Sequence, residues 1–396
     1  MLIPLIYFKI IVVKGNHLVR NYTNVKISLF SAKIAFNSID DLGSYFRLPL
    51  PLFFAIAFQP QKNELRSSRA ACDSTSNNMF RIQWKSVILI LFKIEIMSNI
   101  EMIIEERAAD IGNFLVGRLL PFSQKRSVGP FVFIDHMGPA ALKDYENMDV
   151  PPHPHIGLST LTFLFEGSIM HRDSIGTEIE IKEGAVNWMT AGKGVAHSER
   201  TPEYLRTTDK HLHGLQIWVA LPKELETMEP EFFHINKEDI PSWIDNGVDY
   251  KLIAGEILGR KSPVPVYSPL YFLEVNNTLQ EDREIILGDY LFGESSLYIL
   301  EGNIESEGNL YNPKHILIAK DSKLCHFVLK PNSIVYIFGG EPFPEPRYIY
   351  WNFVGTSREI IEDAKIRWEN HEFPKVINDD GYVPLPPQNK NIKLKE

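Results

Sequence analysis

Cysteine is nearly absent. The 396 residues contain two, Cys72 and Cys325, too few and too far apart for a disulfide framework or a four-cysteine zinc site. Such scarcity suits a reducing, intracellular compartment, and we expect a cytoplasmic protein, or a nuclear one in a eukaryote. Long apolar runs are missing too. No stretch reaches the ~18 uninterrupted apolar residues of a membrane-spanning helix. Lys9 breaks the opening stretch, and two prolines break 48–58. A surplus of positive charge is also lacking: the formal net charge is −9, the wrong sign for a protein held to nucleic acid by phosphate contacts. What the chain does have is 44% apolar residues with 24 Phe, 15 Tyr and 6 Trp, which argues against wholesale disorder. At roughly 100–200 residues per domain, two or three domains are expected.

The charge is unevenly spread. Residues 1–96 hold 12 Lys/Arg against 5 Asp/Glu; subtracted from the totals of 41 and 50, this leaves 29 against 45 for 97–396. The basic leader has apolar clusters at 2–13, 48–58 and 87–92, without the paired turn signals or steady period of a sheet or bundle. A secretory signal would need a small-residue cleavage site, which Lys14-Gly15-Asn16-His17 does not offer. A transit peptide would be rich in Arg and Ser and poor in acids, which fits only in part. The third reading, favoured here, places 1–96 outside the fold, with the working protein beginning at Met97.

From Met97 the texture changes to short strands separated by turn residues. Strands are expected at 158–165, 169–172, 177–181, 185–189 and 212–221, with Gly167, Gly176 and Gly184 as punctuation. A polar stretch with prolines, 222–247, reads as an inter-domain connection. Strands resume at 271–275, 284–287, 296–300, 315–319, 325–329 and 334–339. Many short strands at this spacing mean a sandwich or barrel, and two successive sets suggest two barrels in tandem. Near the end, Thr356-Ser-Arg-Glu359 has capping-box spacing. Ile360, Ile361, Ala364 and Trp368 then fall on one helical face, which is expected to pack on the second barrel.

The chemistry lies in the histidines. Seven of the twelve fall between His136 and His213. Two tight pairs stand out, His153-Pro-His155 and His197-Ser-Glu199. Residues two apart in a strand point to the same face, so each pair presents two ligand groups to one side. Proline on both sides of His153 restricts the backbone, and Gly192 and Gly194 turn the chain sharply before His197. Together the pairs offer three imidazoles and one carboxylate. Without thiolate, this set suits Fe, Cu, Ni, Co or Zn, with Ca and Mg disfavoured.

Five stretches resemble the cupin superfamily and, within it, the pirin family. They are Gly129-Pro-Phe-Val-Phe-Ile-Asp135-His136, Pro152-His-Pro-His-Ile-Gly157, Trp188-Met-Thr-Ala-Gly192-Lys-Gly194, His197-Ser-Glu199 and His213-Gly-Leu-Gln-Ile-Trp218-Val-Ala-Leu-Pro222. The resemblance runs from about Met97 to residue 385. It implies an all-β bicupin: two tandem antiparallel barrels of jelly-roll type with a short C-terminal helix. The expected division is a leader at 1–96, a metal-binding barrel at 97–235, a second barrel without metal motif at 236–385 and a tail at 386–396. By position, His153, His155, His197 and Glu199 take the pirin metal-ligand roles, for one divalent transition metal, Fe(II) foremost. A typical cupin carries its glutamate ligand soon after His-x-His; 158–165 contains no acid, and Glu199 supplies the carboxylate instead.

Two functions follow from the resemblance. The first is a quercetinase-type dioxygenase that opens a flavonol ring with O2, with Glu199 also removing the hydroxyl proton as the catalytic base. Its substrate would be a small aromatic compound, held over the metal by Phe131, Phe133, Met189 and Trp218. The second is an iron-dependent, redox-sensing transcriptional co-regulator acting through a protein partner. Neither reading involves direct nucleic-acid or membrane binding, and a monomer is expected. The other histidines receive plainer roles: His211 and His213, a third close pair, as strand residues or supports behind the metal, His136 behind the metal or packed at a barrel rim, and His171 as an exposed strand residue. Cys325 reads as buried and inert.

Overall fold

The computed structural model describes residues 8–14, 17–25, 99–111, 114–320 and 326–387. Contacts divide the chain into two units, Met1–Met97 and Ser98–Glu396. In the first, Phe8–Lys14 pairs antiparallel with His17–Val25. The residues between them in sequence are Gly15 and Asn16, a hairpin signal that the leader was expected to lack. The clusters at 48–58 and 87–92, Cys72 and Cys325 lie outside the described residues.

Among the described residues, the second unit is built from antiparallel strands and one α-helix, Arg358–Glu369. Its first half has a four-stranded sheet in the spatial order Glu178–Lys182, Ser168–Asp173, Val195–Arg200, Asp149–His155. A seven-stranded sheet accompanies it, in the order Glu231–Ile235, Val186–Thr190, Leu158–Glu166, Lys210–Ala220, Phe131–Leu142, Leu115–Leu120, Arg107–Asp110. The second half repeats the plan with an eight-stranded and a four-stranded sheet. The all-β bicupin expectation holds. Strand Ile100–Glu105 enters the sheet of the second half, beside His315–Ala319, before the chain builds the first half.

Leu158–Glu166 shows why its sequence places apolar residues at consecutive positions, as at Phe163, Leu164 and Phe165, rather than in strict alternation. Leu161 and Phe163 join a core shared with Phe272, Tyr336 and Phe338 of the second half. Leu164 faces the other way, into a core with Met137, Met148 and Ile169. A strand with one wet face would alternate; this one is covered on both.

Three details differ from expectation. The stretch 222–247 is not plain connection, because Glu231–Ile235 extends the seven-stranded sheet beside Val186–Thr190. The helix buries Ile361, Ala364 and Trp368, but against Ile156 and Ala196 of the first half rather than on the second barrel. The cause is the path of the chain: Phe353 bridges to Ile156 just before the helix. After it, Asp379 receives two hydrogen bonds from Arg200, at 2.8 and 2.9 Å. The N-cap is Ser357, not Thr356, since the Thr356 hydroxyl and amide both donate to Glu226, at 2.7 and 2.9 Å.

Candidate metal centre

Asp149–His155 and Val195–Arg200 are neighbouring strands, with His153 opposite His197 and His155 opposite Val195. Strand alternation puts His153 and His155 on one face, and pairing brings His197 beside them. One ring nitrogen from each of the three lies within 4.8 Å of the others. Ring centroids are 4.4 Å apart for His153–His197, 4.9 Å for His155–His197 and 5.1 Å for His153–His155. The turn that returns the chain toward His197 depends on Gly192, at φ +51°: a Cβ there would lie 2.0 Å from the Met228 carbonyl oxygen.

The cluster is closed off from water, with His153 7% and both others 1% exposed. Burial lowers His153 to about 4 and holds His155 and His197 well below the usual histidine range. All three are therefore neutral at neutral pH, the form that binds metal. His153 Nδ1 donates to the Pro151 carbonyl at 2.9 Å, leaving its Nε2 bare. Nε2 of His155 and Nε2 of His197 face each other at 3.1 Å. Two imidazoles bound at right angles to one ion, with bonds of roughly 2.1 Å, would place their nitrogens roughly 3.0 Å apart. The rings fit a transition-metal ion.

Glu199 is not part of that three-histidine group. It follows His197 by two residues, but the pairing shifts between them, leaving Glu199 opposite Val150 on one side and His171 on the other. Such a bulge redirects the side chain. Burial, with no bond to offset it, pushes the Glu199 carboxyl up to about 7.

The expected aromatic lining is brought together only in part. Phe133 and Trp218 stack at 3.9 Å between centroids, and Trp218 stands edge-on to His155 at 5.1 Å. Met189 packs with Ala191 and Val195. Phe131 does not line the site: a register shift between Trp218 and Val219 separates it from Phe133, and it packs on Phe272 and Phe338 between the two halves.

One other histidine departs from its reading. His171, expected to be exposed, is 4% exposed, with Nε2 3.2 Å from Asp173 Oδ2 and Nδ1 3.4 Å from His197 Nδ1. The signal for it was present: His171 and Asp173 share the same two-residue strand spacing as His153 and His155. His136 supports no metal ligand. Its Nε2 meets His213 Nε2 at 2.7 Å, and its Nδ1 meets Glu106 Oε1 at 2.6 Å. His211 sits at the surface beside Glu166, at 2.8 Å.

Comparison with known proteins bears on the whole arrangement. The family model for pirin matches residues 113–219, and that for the pirin C-terminal cupin domain matches 276–374. A pirin-like protein of Caulobacter vibrioides is 44% identical over 295 residues, covering 72% of this chain and 99% of the relative. Pirin-like protein 2 of Arabidopsis thaliana is 32% identical over 283 residues, covering 66% and 82%. The crystal structure of quercetin 2,3-dioxygenase from Acinetobacter baumannii superposes with a TM-score of 0.67 at 32% identity, over 74% of this chain and 98% of that one. The two family matches fall on the two halves of the fold, and the first contains all three converging histidines. The chain belongs to the pirin family.

Proposed function

We propose that the protein is a quercetinase-type dioxygenase, opening a flavonol ring with O2 at a centre held by His153, His155, His197 and Glu199, with Fe(II) as the resident ion. The observation that carries this reading is the convergence of three buried, neutral imidazoles. Its support from outside the chain is the likeness to the Acinetobacter baumannii quercetin 2,3-dioxygenase.

When bound, the ion supplies Lewis acidity toward a substrate oxygen and one-electron chemistry toward O2. The rest falls to the chain. The three histidines would hold the ion through bare ring nitrogens, since desolvation keeps them uncharged. Glu199, two residues after His197 on the same strand, would accept the flavonol hydroxyl proton as general base. The stacked pair Phe133–Trp218 beside His155 offers a flat apolar wall to a flat aromatic ring.

Elemental analysis of the purified protein, joined to oxygen uptake with quercetin in air and under nitrogen, tests this. The expected result is a bound transition metal, iron foremost, and metal-dependent oxygen uptake. Metal-loaded protein that takes up no oxygen with any flavonol would overturn the proposal. The second reading, an iron-dependent, redox-sensing co-regulator acting through a protein partner, would then replace it. It draws on the burial of the histidines, which suits a shielded ion better than an open catalytic one. Capture of a partner that depends on the metal's oxidation state is its measurement.

A further inference from the structure

Behind His197 runs a line of groups that decides which of its nitrogens is bare. Asp173 is fully buried. Its Oδ1 accepts the amides of Ile175 and Thr177, at 3.0 and 2.8 Å, and its Oδ2 faces His171 Nε2 at 3.2 Å. Burial raises this carboxyl, yet the bonds from His171 and Thr177 hold it below its usual range. Both oxygens therefore only accept. His171 must donate from Nε2, so in its neutral form Nδ1 is bare. That nitrogen faces His197 Nδ1 at 3.4 Å, which must then carry the proton. The bare nitrogen of His197 is Nε2, the one turned toward His155. His171 is steadied by stacking on Phe232, with centroids 4.7 Å apart.

We propose that Asp173 and His171 are positioning residues that set the tautomer of His197 and keep its Nε2 free for the metal. This rests on the reading of the three histidines as metal ligands. A carboxylate behind a ligating histidine is a common support in metal sites. Here one extra imidazole is inserted, and donor and acceptor still alternate at every step.

The arrangement makes Asp173→Asn informative. The amide has one acceptor oxygen, and the two backbone amides at Ile175 and Thr177 claim it. Its NH2 group then occupies the place of Oδ2 and donates to His171 Nε2. His171 must carry its proton on Nδ1 and donate to His197 Nδ1, so the His197 proton moves to Nε2. The ligand nitrogen is blocked without any change of shape. His171→Phe keeps the stack on Phe232 but imposes no tautomer on His197.

Nitrogen-15 NMR of histidine-labelled, metal-free protein reads the tautomers directly. In the wild type His197 should be protonated at Nδ1 and His171 at Nε2; in Asp173→Asn both should be reversed. Competition with a chelator for Zn(II) should show Asp173→Asn binding roughly 10–100-fold more weakly than the wild type. His171→Phe should lose less. An unchanged His197 tautomer in Asp173→Asn, or unchanged Zn(II) affinity, would overturn the proposal. If Asp173→Asn does not fold, the wild-type spectrum decides, since His197 protonated at Nε2 overturns it as well. Failure of the wild type to bind Zn(II) would count against the metal reading instead, and the NMR pattern would still judge the relay.

Discussion

His155 and His197 meet nitrogen to nitrogen, Nε2 to Nε2, at 3.1 Å inside the fold. Two bare lone pairs repel at that distance, so a proton or a cation must lie between them. Replacing His155 with Ala removes one of three imidazoles from the centre, and metal and oxygen uptake should fall together. Elemental analysis that finds His155→Ala as fully loaded as the wild type would remove this residue from the site.

Glu199→Gln should behave differently. The three imidazoles remain and an amide oxygen can still coordinate, so most of the metal should stay. The amide cannot accept the substrate proton, and loss of a general base costs ~10²–10⁴-fold in turnover. Metal analysis and oxygen uptake on the same preparation separate the two effects. Equal turnover in the variant would exclude Glu199 as the base.

Stability of the metal-free protein should fall as the pH drops below about 6.5. His153 is lowered to about 4 from 6.5, and His155 and His197 lie well below 6.5, so the unfolded chain takes up three protons that the folded one refuses. Glu199 acts in the opposite sense: raised from 4.5 to about 7, it contributes stability that is complete below 4.5 and lost as the pH rises to 7. Three groups outweigh one between 4.5 and 6.5, so the net effect of acid across that window is destabilising. The thermal midpoint measured between pH 7 and 5 should therefore decline with acid. A flat profile would mean that the rings are charged or wet.

Glu106→Ala should weaken the fold and spare the metal. Glu106 Oε1 accepts from the Tyr298 hydroxyl at 2.6 Å and meets His136 Nδ1 at 2.6 Å, tying the two halves together. Each buried group left without its partner costs about 1–3 kcal/mol. Tyr298 Oη and His136 Nδ1 lie 3.0 Å apart and can partly satisfy each other, which sets the loss toward the lower end. Denaturant midpoints would show it, with metal content unchanged. Lost metal would connect this network to the site.

Removing residues 1–96 should leave folding and metal content as they are, because the four large sheets of the two halves and the three histidines fall within Ser98–Glu396. Circular dichroism and metal analysis of the truncated chain check this. An insoluble or metal-free product would make the leader part of the working protein.

Much of this protein was readable from local order. The strands found as Leu158–Glu166, Lys210–Ala220, Leu270–Asn277 and Ser333–Gly340 could be read because β-branched and aromatic runs between glycines depend on near neighbours alone. The pair His153 and His155 could be read because a strand repeats every two residues. Other features depended on which strand lies beside which. His171 and Asp173 carry the same spacing, yet their burial behind His197 comes from the pairing of Ser168–Asp173 with Val195–Arg200. Phe131 was misjudged because a register shift is invisible to alternation. The apolar face of the terminal helix was plain, but its partner was not: hydrophobic burial has no direction, and any apolar surface within reach would satisfy it. Sequence determined which residues could ligate and which faces must be buried. Only the tertiary structure, through strand register and the path of the chain, decided what each of them meets.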